Sequence, residues 1–280
     1  MDTRTGSWLR RLLNYVGVIL IGAVVVAVAT FNAESQNQQL PHFTVPDTVL
    51  FQLRSDDSHA VLSAVVADRG RTWFVIPNDT IMDKSDINST IARIAEGVVP
   101  EGAVNAVSLG ANVKIDEAWQ LDRLGIAALV ELVGGVQVTP KSDMLLGATT
   151  PNAQMSLSKN VTVQLNGIFA AWYALGEGAQ SPSGKVAQFH EVWQQIMQRT
   201  DAATLSPVMS SVGASSHSTL SLPELVALFE KWQQINETDG ISWVGIKTEY
   251  VGSEFGRIRV ISALGRQQLL DAGAHERLAS

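Results

Sequence analysis

The chain has 280 residues, is 46% hydrophobic and 17% charged, carries a net charge of −7 and contains no cysteine. That composition is too apolar for a disordered chain and supplies a core for one large domain or two small ones. The acidic balance argues against nucleic acid as a partner, and the missing cysteine excludes disulfides, thiolate metal sites and cysteine nucleophiles.

In chain order, Arg4, Arg10 and Arg11 come first, followed by a stretch from Leu12 to Ala33 with no charge. About twenty apolar residues cross a bilayer as a helix, and arginines on the N-terminal side place that side in the cytoplasm. The sequence therefore predicts a cytoplasmic tail over 1–11, a transmembrane anchor over 12–33, a polar stalk over 34–46 and an extracytoplasmic domain over 47–280. Such a chain sits in the cytoplasmic membrane with a single pass. The rival is a cleaved signal peptide with Ala27-Val28-Ala29 as its cleavage site; the length of the uncharged run favours the anchor.

Within the outer domain, short β-branched and aromatic runs predict strands at 48–53, 60–68 and 72–76, the last two joined as a hairpin around Gly70. Residues 85–98 read as a helix with a polar start. Asp122 is placed to cap an apolar helix that Gly134 ends, and a strand stopped by Pro140 follows. Helices are expected at 165–175 and 184–200. The Ser-rich stretch 210–219 reads as a link between two late elements. Ser221, Pro223 and Glu224 make a capping-box start for one more helix, and 256–263 reads as a late strand. The predicted fold class is α/β or α+β, a mixed central sheet covered by helices, preceded by one transmembrane helix.

No short motif carries a chemistry by itself. There is no phosphate-binding Gly-rich loop with lysine, no His-Glu-x-x-His and no Gly-x-Ser-x-Gly. The five histidines show no metal-ligand spacing. The order of longer segments is more informative. "VLFQLRSDDSHAVLSAVVADRGRTWFVIPNDT" is followed by "LDRLGIAALVELVGGVQVTP", then by "VQLNGIFAAWYALGEG" and "GKVAQFHEVWQQIMQR". Together with the N-terminal anchor, this series resembles the LytR-CpsA-Psr (LCP) family of cell-envelope proteins over roughly residues 15–235.

The resemblance implies an extracytoplasmic phosphotransferase that moves a glycopolymer from a polyprenyl pyrophosphate carrier onto peptidoglycan or another wall acceptor. It implies a hydrophobic tunnel for the polyprenyl tail, arginines on the pyrophosphate and carboxylates on Mg²⁺. Arginine suits that task because its forked donors match phosphate oxygens, and a divalent cation offsets charge on the leaving phosphate.

Residue by residue, the family's grip is depleted. Its Ile-Pro-Arg-Asp falls on Ile76-Pro77-Asn78-Asp79, which keeps the aspartate and loses the arginine. Its Ser-Asp-Thr metal site falls on Ser58-His59-Ala60, where no carboxylate stands. Its Tyr-x-Arg-x-Arg falls on Tyr173 to Glu177, with Leu175 and Glu177 in the arginine places. Its Gly-Arg-x-x-Arg-Gln falls on Gly184 to Phe189, with Lys185 for one arginine and Gln188 for the other. The family's early Gly-x-Asp loop falls loosely on the stretch Gln52 to Asp57. The candidates that follow are Asp79 as the catalytic carboxylate, Arg54 and Lys185 as substrate contacts, and Asp56 as a metal ligand.

Each candidate has a plainer reading. Asp79 also suits the turn after a strand, and Lys185 also suits a solvated helix start. Trp172, Tyr173, Phe189 and Trp193 either line a lipid tunnel or pack a core. Each charge-assisted hydrogen bond is worth roughly 1.5–3 kcal/mol, so losing the arginines at 78, 175, 177 and 188 removes most of a pyrophosphate grip. The sequence thus points to a catalytically degenerate LCP-like protein that binds a polyprenyl-phosphate lipid or an envelope protein partner. Its alternatives are an active transferase using Mg²⁺, with its arginines supplied from other positions, and a scaffold or sensor that binds no lipid.

Overall fold

A computed structural model describes residues 44–55, 59–96, 100–147, 154–212, 215–254 and 256–277. The predicted anchor and the candidate ligand Asp56 lie outside these residues. Among the described residues no helix is long and apolar enough to cross a membrane.

Strands β1 (Val49–Arg54), β2 (Ala60–Ala67) and β3 (Thr72–Ile76) form an antiparallel meander at the expected places. The β2–β3 turn runs through positive φ at Asp68, Arg69 and Gly70. Gly70 is needed there twice over: its φ is +109°, and a Cβ would lie 2.3 Å from Trp232 Cδ1. Helix α1 (Pro100–Ala111), strand β4 (Val113–Lys114) and strand β5 (Glu117–Leu121) follow. The β5 strand lies parallel to β1.

Helix α2 (Arg123–Leu132) begins as predicted, with the Asp122 carboxylate accepting from the Leu124 and Gly125 amides at 2.8 and 3.0 Å. Two small antiparallel pairs come next, β6 (Val136–Val138) with β9 (Val163–Leu165) and, between them in the chain, β7 (Met144–Leu146) with β8 (Met155–Leu157). Helices α3 (Gly167–Ala174), α4 (Pro182–Arg199) and α5 (Ala202–Val212) then lead to the short strand β10 (Ser216–Ser218). The chain closes with α6 (Leu222–Thr238), β11 (Ser242–Gly245), β12 (Thr248–Ser253), β13 (Gly256–Ile261), α7 (Ala263–Asp271) and β14 (His275–Glu276).

The central sheet is mixed, in the order β10-β5-β1-β2-β3-β11. Every residue of β1 is buried because helices cover both faces. On one face Phe51, Trp73 and Trp119 meet Phe189 and Trp193 of α4 and Phe229 and Trp232 of α6. The rings stand 5.0–6.3 Å apart between centroids, the spacing of a packed aromatic core. On the other face Leu50, Val65 and Phe74 pack with Val107 and Ala111 of α1 and Leu269 of α7.

Two expectations change, and further elements are new. Residues 85–92 are not helical. The Asp83 carboxylate takes the Ser85 amide at 2.9 Å and the Asp86 carboxylate takes the Asn88 amide at 2.8 Å. Such aspartate turns compete with helical hydrogen bonding, and only a short 3₁₀ turn forms, at Arg93–Glu96. The Ser-rich stretch is more than a link, since Ser216–Ser218 adds an edge strand to β5. Helix α1 and strand β5 were not predicted at all. Gly102 and Gly110 weaken the helical signal of α1, although Pro100 stands in its first turn.

Candidate functional site

Strands β3 and β11 are parallel neighbours, so both end at the same edge of the sheet. Outside those carboxyl ends lies a cleft of about 760 Å³, the usual place for a ligand in a fold of this kind. Its apolar wall includes Val61, Val75, Ile76, Val186, Trp243 and Val244, and its polar side chains include Asn78, Asp79, Lys185 and Arg259.

The rim is the turn Pro77–Thr80, closed by the Thr80 amide donating to Pro77 O at 3.0 Å. Asn78, which stands where the family has arginine, donates its side-chain amide to Val61 O at 3.1 Å. It ties the rim to β2 and projects no charge. Asp79 Oδ2 lies 3.3 Å from Arg259 Nε. That contact is an ion pair by distance but not a well-aligned hydrogen bond, since Nε has no hydrogen-bond partner. The backbone fixes Arg259 in place. Ile81 N donates to Arg259 O at 2.8 Å, and Thr80 and Arg259 form a parallel bridge.

Lys185 lies in the first turn of α4, whose cap Ser181 accepts the Gly184 amide at 3.1 Å. The lysine stem runs over Gly176, where an added Cβ would lie 2.5 Å from Lys185 Cγ. Among the described residues no carboxylate pairs with Lys185. The cleft therefore combines two cations, Lys185 and Arg259, with one carboxylate, Asp79. Its net charge is positive on a chain whose total is −7.

The structure brings Asp79 and Lys185 together and places Arg54 elsewhere. Arg54 is buried at the end of β1, and its Nη1 lies 3.4 Å from Gln120 Oε1. Gln120 donates to Gln52 Oε1 at 2.8 Å, and Gln52 donates to Ser63 Oγ at 3.1 Å. Arg54 thus ends a buried polar chain across the sheet and does not line the cleft of Asp79. Glu177 also turns away, its carboxylate accepting the Gly147 amide at 2.7 Å. Gln188 lines an adjoining depression of about 430 Å³, beside Tyr173 and Glu191, that shares Ala179, Gln180 and Ser181 with the cleft. There the Tyr173 hydroxyl donates to Glu191 Oε2 at 2.7 Å. Burial, then the neighbouring Glu191 carboxylate, push the phenol pKa well above its ordinary value.

Magnesium fits these residues poorly. A hard cation takes oxygen ligands and is usually held by one or two carboxylates plus phosphate oxygens. Asp79 is the one carboxylate among the described residues lining the cleft, and a guanidinium already neutralises it. No cluster of three histidine or acidic side chains exists among the described residues.

Arg259 is the residue that sequence reading missed. It stands in "GRIRVISA", read only as a strand. The alternation there does carry a signal, because Arg257 and Arg259 fall on one face and Ile258 and Val260 on the other. The latter two are buried. What the sequence does not show is that this strand meets the Pro77–Thr80 rim.

The model of the LytR_cpsA_psr family matches residues 48–260. A comparison with curated proteins finds no match. Several solved structures share the fold. One is a LytR-Csp2A-Psr enzyme from Actinomyces oris, with TM-score 0.61 and 16% identity over 83% of this chain and 91% of that one. Another is TagV of B. subtilis, with TM-score 0.59 and 16% identity over 81% and 94%. A third is TagT bound to LI-WTA, with TM-score 0.61 and 17% identity over 84% and 93%.

Proposed function

The chain belongs to the LytR-CpsA-Psr family, and from that premise we propose that it is a membrane-anchored, extracytoplasmic member that binds a polyprenyl-phosphate lipid without turning it over. The anchor is the uncharged stretch 12–33, which holds the domain outside the cytoplasmic membrane near such lipids. The protein serves cell-wall glycopolymer assembly by holding a carrier lipid.

One observation carries this reading: Lys185 and Arg259 share a cleft with apolar lining residues. Cations beside an apolar surface suit a phosphate head on a hydrocarbon tail. The loss of catalysis is supported by Asn78, whose side chain is spent on Val61, and by Gln188 and Glu177, which do not line the cleft. The second reading, an active transferase with relocated arginines, draws on Arg259 alone.

The test is a titration of the full-length chain in mild detergent with geranyl phosphate, inorganic phosphate and geraniol. Geranyl phosphate is expected to bind at least tenfold more tightly than either fragment, because it alone engages both halves of the cleft. Failure of geranyl phosphate to bind, or inorganic phosphate binding equally well, overturns the reading.

A further inference from the structure

We propose that Arg259 rebuilds the missing phosphate grip from the opposite end of the domain, as the cation that replaces the one absent at position 78. The inference rests on the cleft holding a phosphate-headed amphiphile, and it assigns the specificity of that site for a pyrophosphate head.

Position 78 and position 259 reach the same cleft. Asn78 contributes no charge and is bound to β2. Arg259 arrives on β13 and is locked to the rim by the Ile81 amide and the Thr80 bridge. Its guanidinium lies 5.0 Å from the Tyr250 ring centroid and is hydrogen-bonded to the Tyr250 hydroxyl. Two side chains, Asp79 and Tyr250, engage it among the described residues. A guanidinium has five donors, so donors remain for an anion. Asp79 and Tyr250 hold the group in one orientation, which lowers the ordering cost of binding. Lys185 supplies a second, point-like charge from α4. Two cations of different geometry, approaching from two elements, suit a diphosphate better than a monophosphate.

The assignment also gives Asp79 a different role from that of a metal carboxylate. It becomes a positioning residue for Arg259.

The test uses full-length chain and geranyl pyrophosphate as probe. Arg259→Gln is expected to lower affinity at least tenfold, as one charge-assisted contact implies. It is also expected to flatten the salt dependence of binding and to bring geranyl pyrophosphate down to the affinity of geranyl phosphate. Arg259→Lys keeps the charge and part of the affinity. Glu249→Gln, on the same hairpin but outside the cleft, leaves affinity unchanged, so a general collapse of the hairpin reads differently. Binding by the wild-type chain with no loss in Arg259→Gln overturns this inference alone. No binding by the wild-type chain overturns the reading of the cleft itself.

Discussion

Arg259 Nε lies 3.3 Å from Asp79 Oδ2, joining the β12–β13 hairpin to the rim that follows β3. Asp79 is 62% exposed and Arg259 26% exposed, so solvent screens the pair and it adds little to stability. Asp79→Asn is expected to shift the free energy of unfolding in urea by less than about 1 kcal/mol. Geranyl pyrophosphate binding should weaken by about threefold, because Asp79 helps to orient Arg259 while Tyr250 still holds it. Loss of binding together with loss of a Mg²⁺ requirement would instead mark Asp79 as a metal ligand.

Catalysis is expected to be absent. Full-length chain given a polyprenyl-pyrophosphate-linked glycan, a peptidoglycan acceptor and Mg²⁺ should transfer nothing above background. The physical reason is that Leu175, Glu177 and Gln188 put no cation at the family's arginine positions. Transfer that disappears in Asp79→Ala would contradict this.

Gly176 controls the position of Lys185. Its φ is +78°, and a side chain there would overlap the lysine stem. Gly176→Ala should cost about 1–3 kcal/mol in stability and weaken phosphate-lipid binding by displacing Lys185. Equal stability and equal affinity in the variant would refute the contact.

Trp193 tests whether these aromatics pack a core or line a lipid tunnel. It is 1% exposed and stacks on Phe189 with centroids 5.5 Å apart. Trp193→Ala should destabilise by about 3–5 kcal/mol, as other large core truncations do. A tunnel-lining tryptophan would be removed at small cost to stability, with altered lipid affinity.

His190 gives a pH dependence. Burial, the larger influence, lowers its pKa from 6.5, and Glu191 opposes the shift. The unfolded chain then binds more protons than the folded one, so stability falls as pH drops through about 6.5 and levels off below the folded pKa. His190→Gln should lose less stability than wild type between pH 7.5 and 5.5, measured from urea midpoints. An identical loss would show that His190 does not titrate differently on folding.

Much of the fold was legible because local chemistry and packing agree. The β1–β3 meander shows as β-branched runs around Gly70. Asp122 and Ser221 mark helix starts, and each makes the expected bond, Glu224 accepting the Ser221 amide at 2.9 Å. The stretch 85–92 misled because Asp83 and Asp86 spend their carboxylates on turns, a choice that composition does not reveal. Strand β10 was obscured because its serines lack strand propensity and gain their place from pairing with β5.

The site was half legible. Asp79 and Lys185 stand in segments matched to the family by their order, and they do meet in one cleft. Arg54 looked available because nothing local shows that Gln120 and Gln52 bury it. Arg259 was invisible as a site residue because its meaning lies in a tertiary contact with Asp79 from the far end of the sequence.

Whether the cleft holds a phosphate-headed lipid is decided by native mass spectrometry of the full-length chain, released from mild detergent without delipidation. The expected result is a species one polyprenyl phosphate or pyrophosphate heavier than the bare chain, diminished in Arg259→Gln. A bare mass alone, unchanged on adding polyprenyl phosphate, would contradict lipid binding in the cleft.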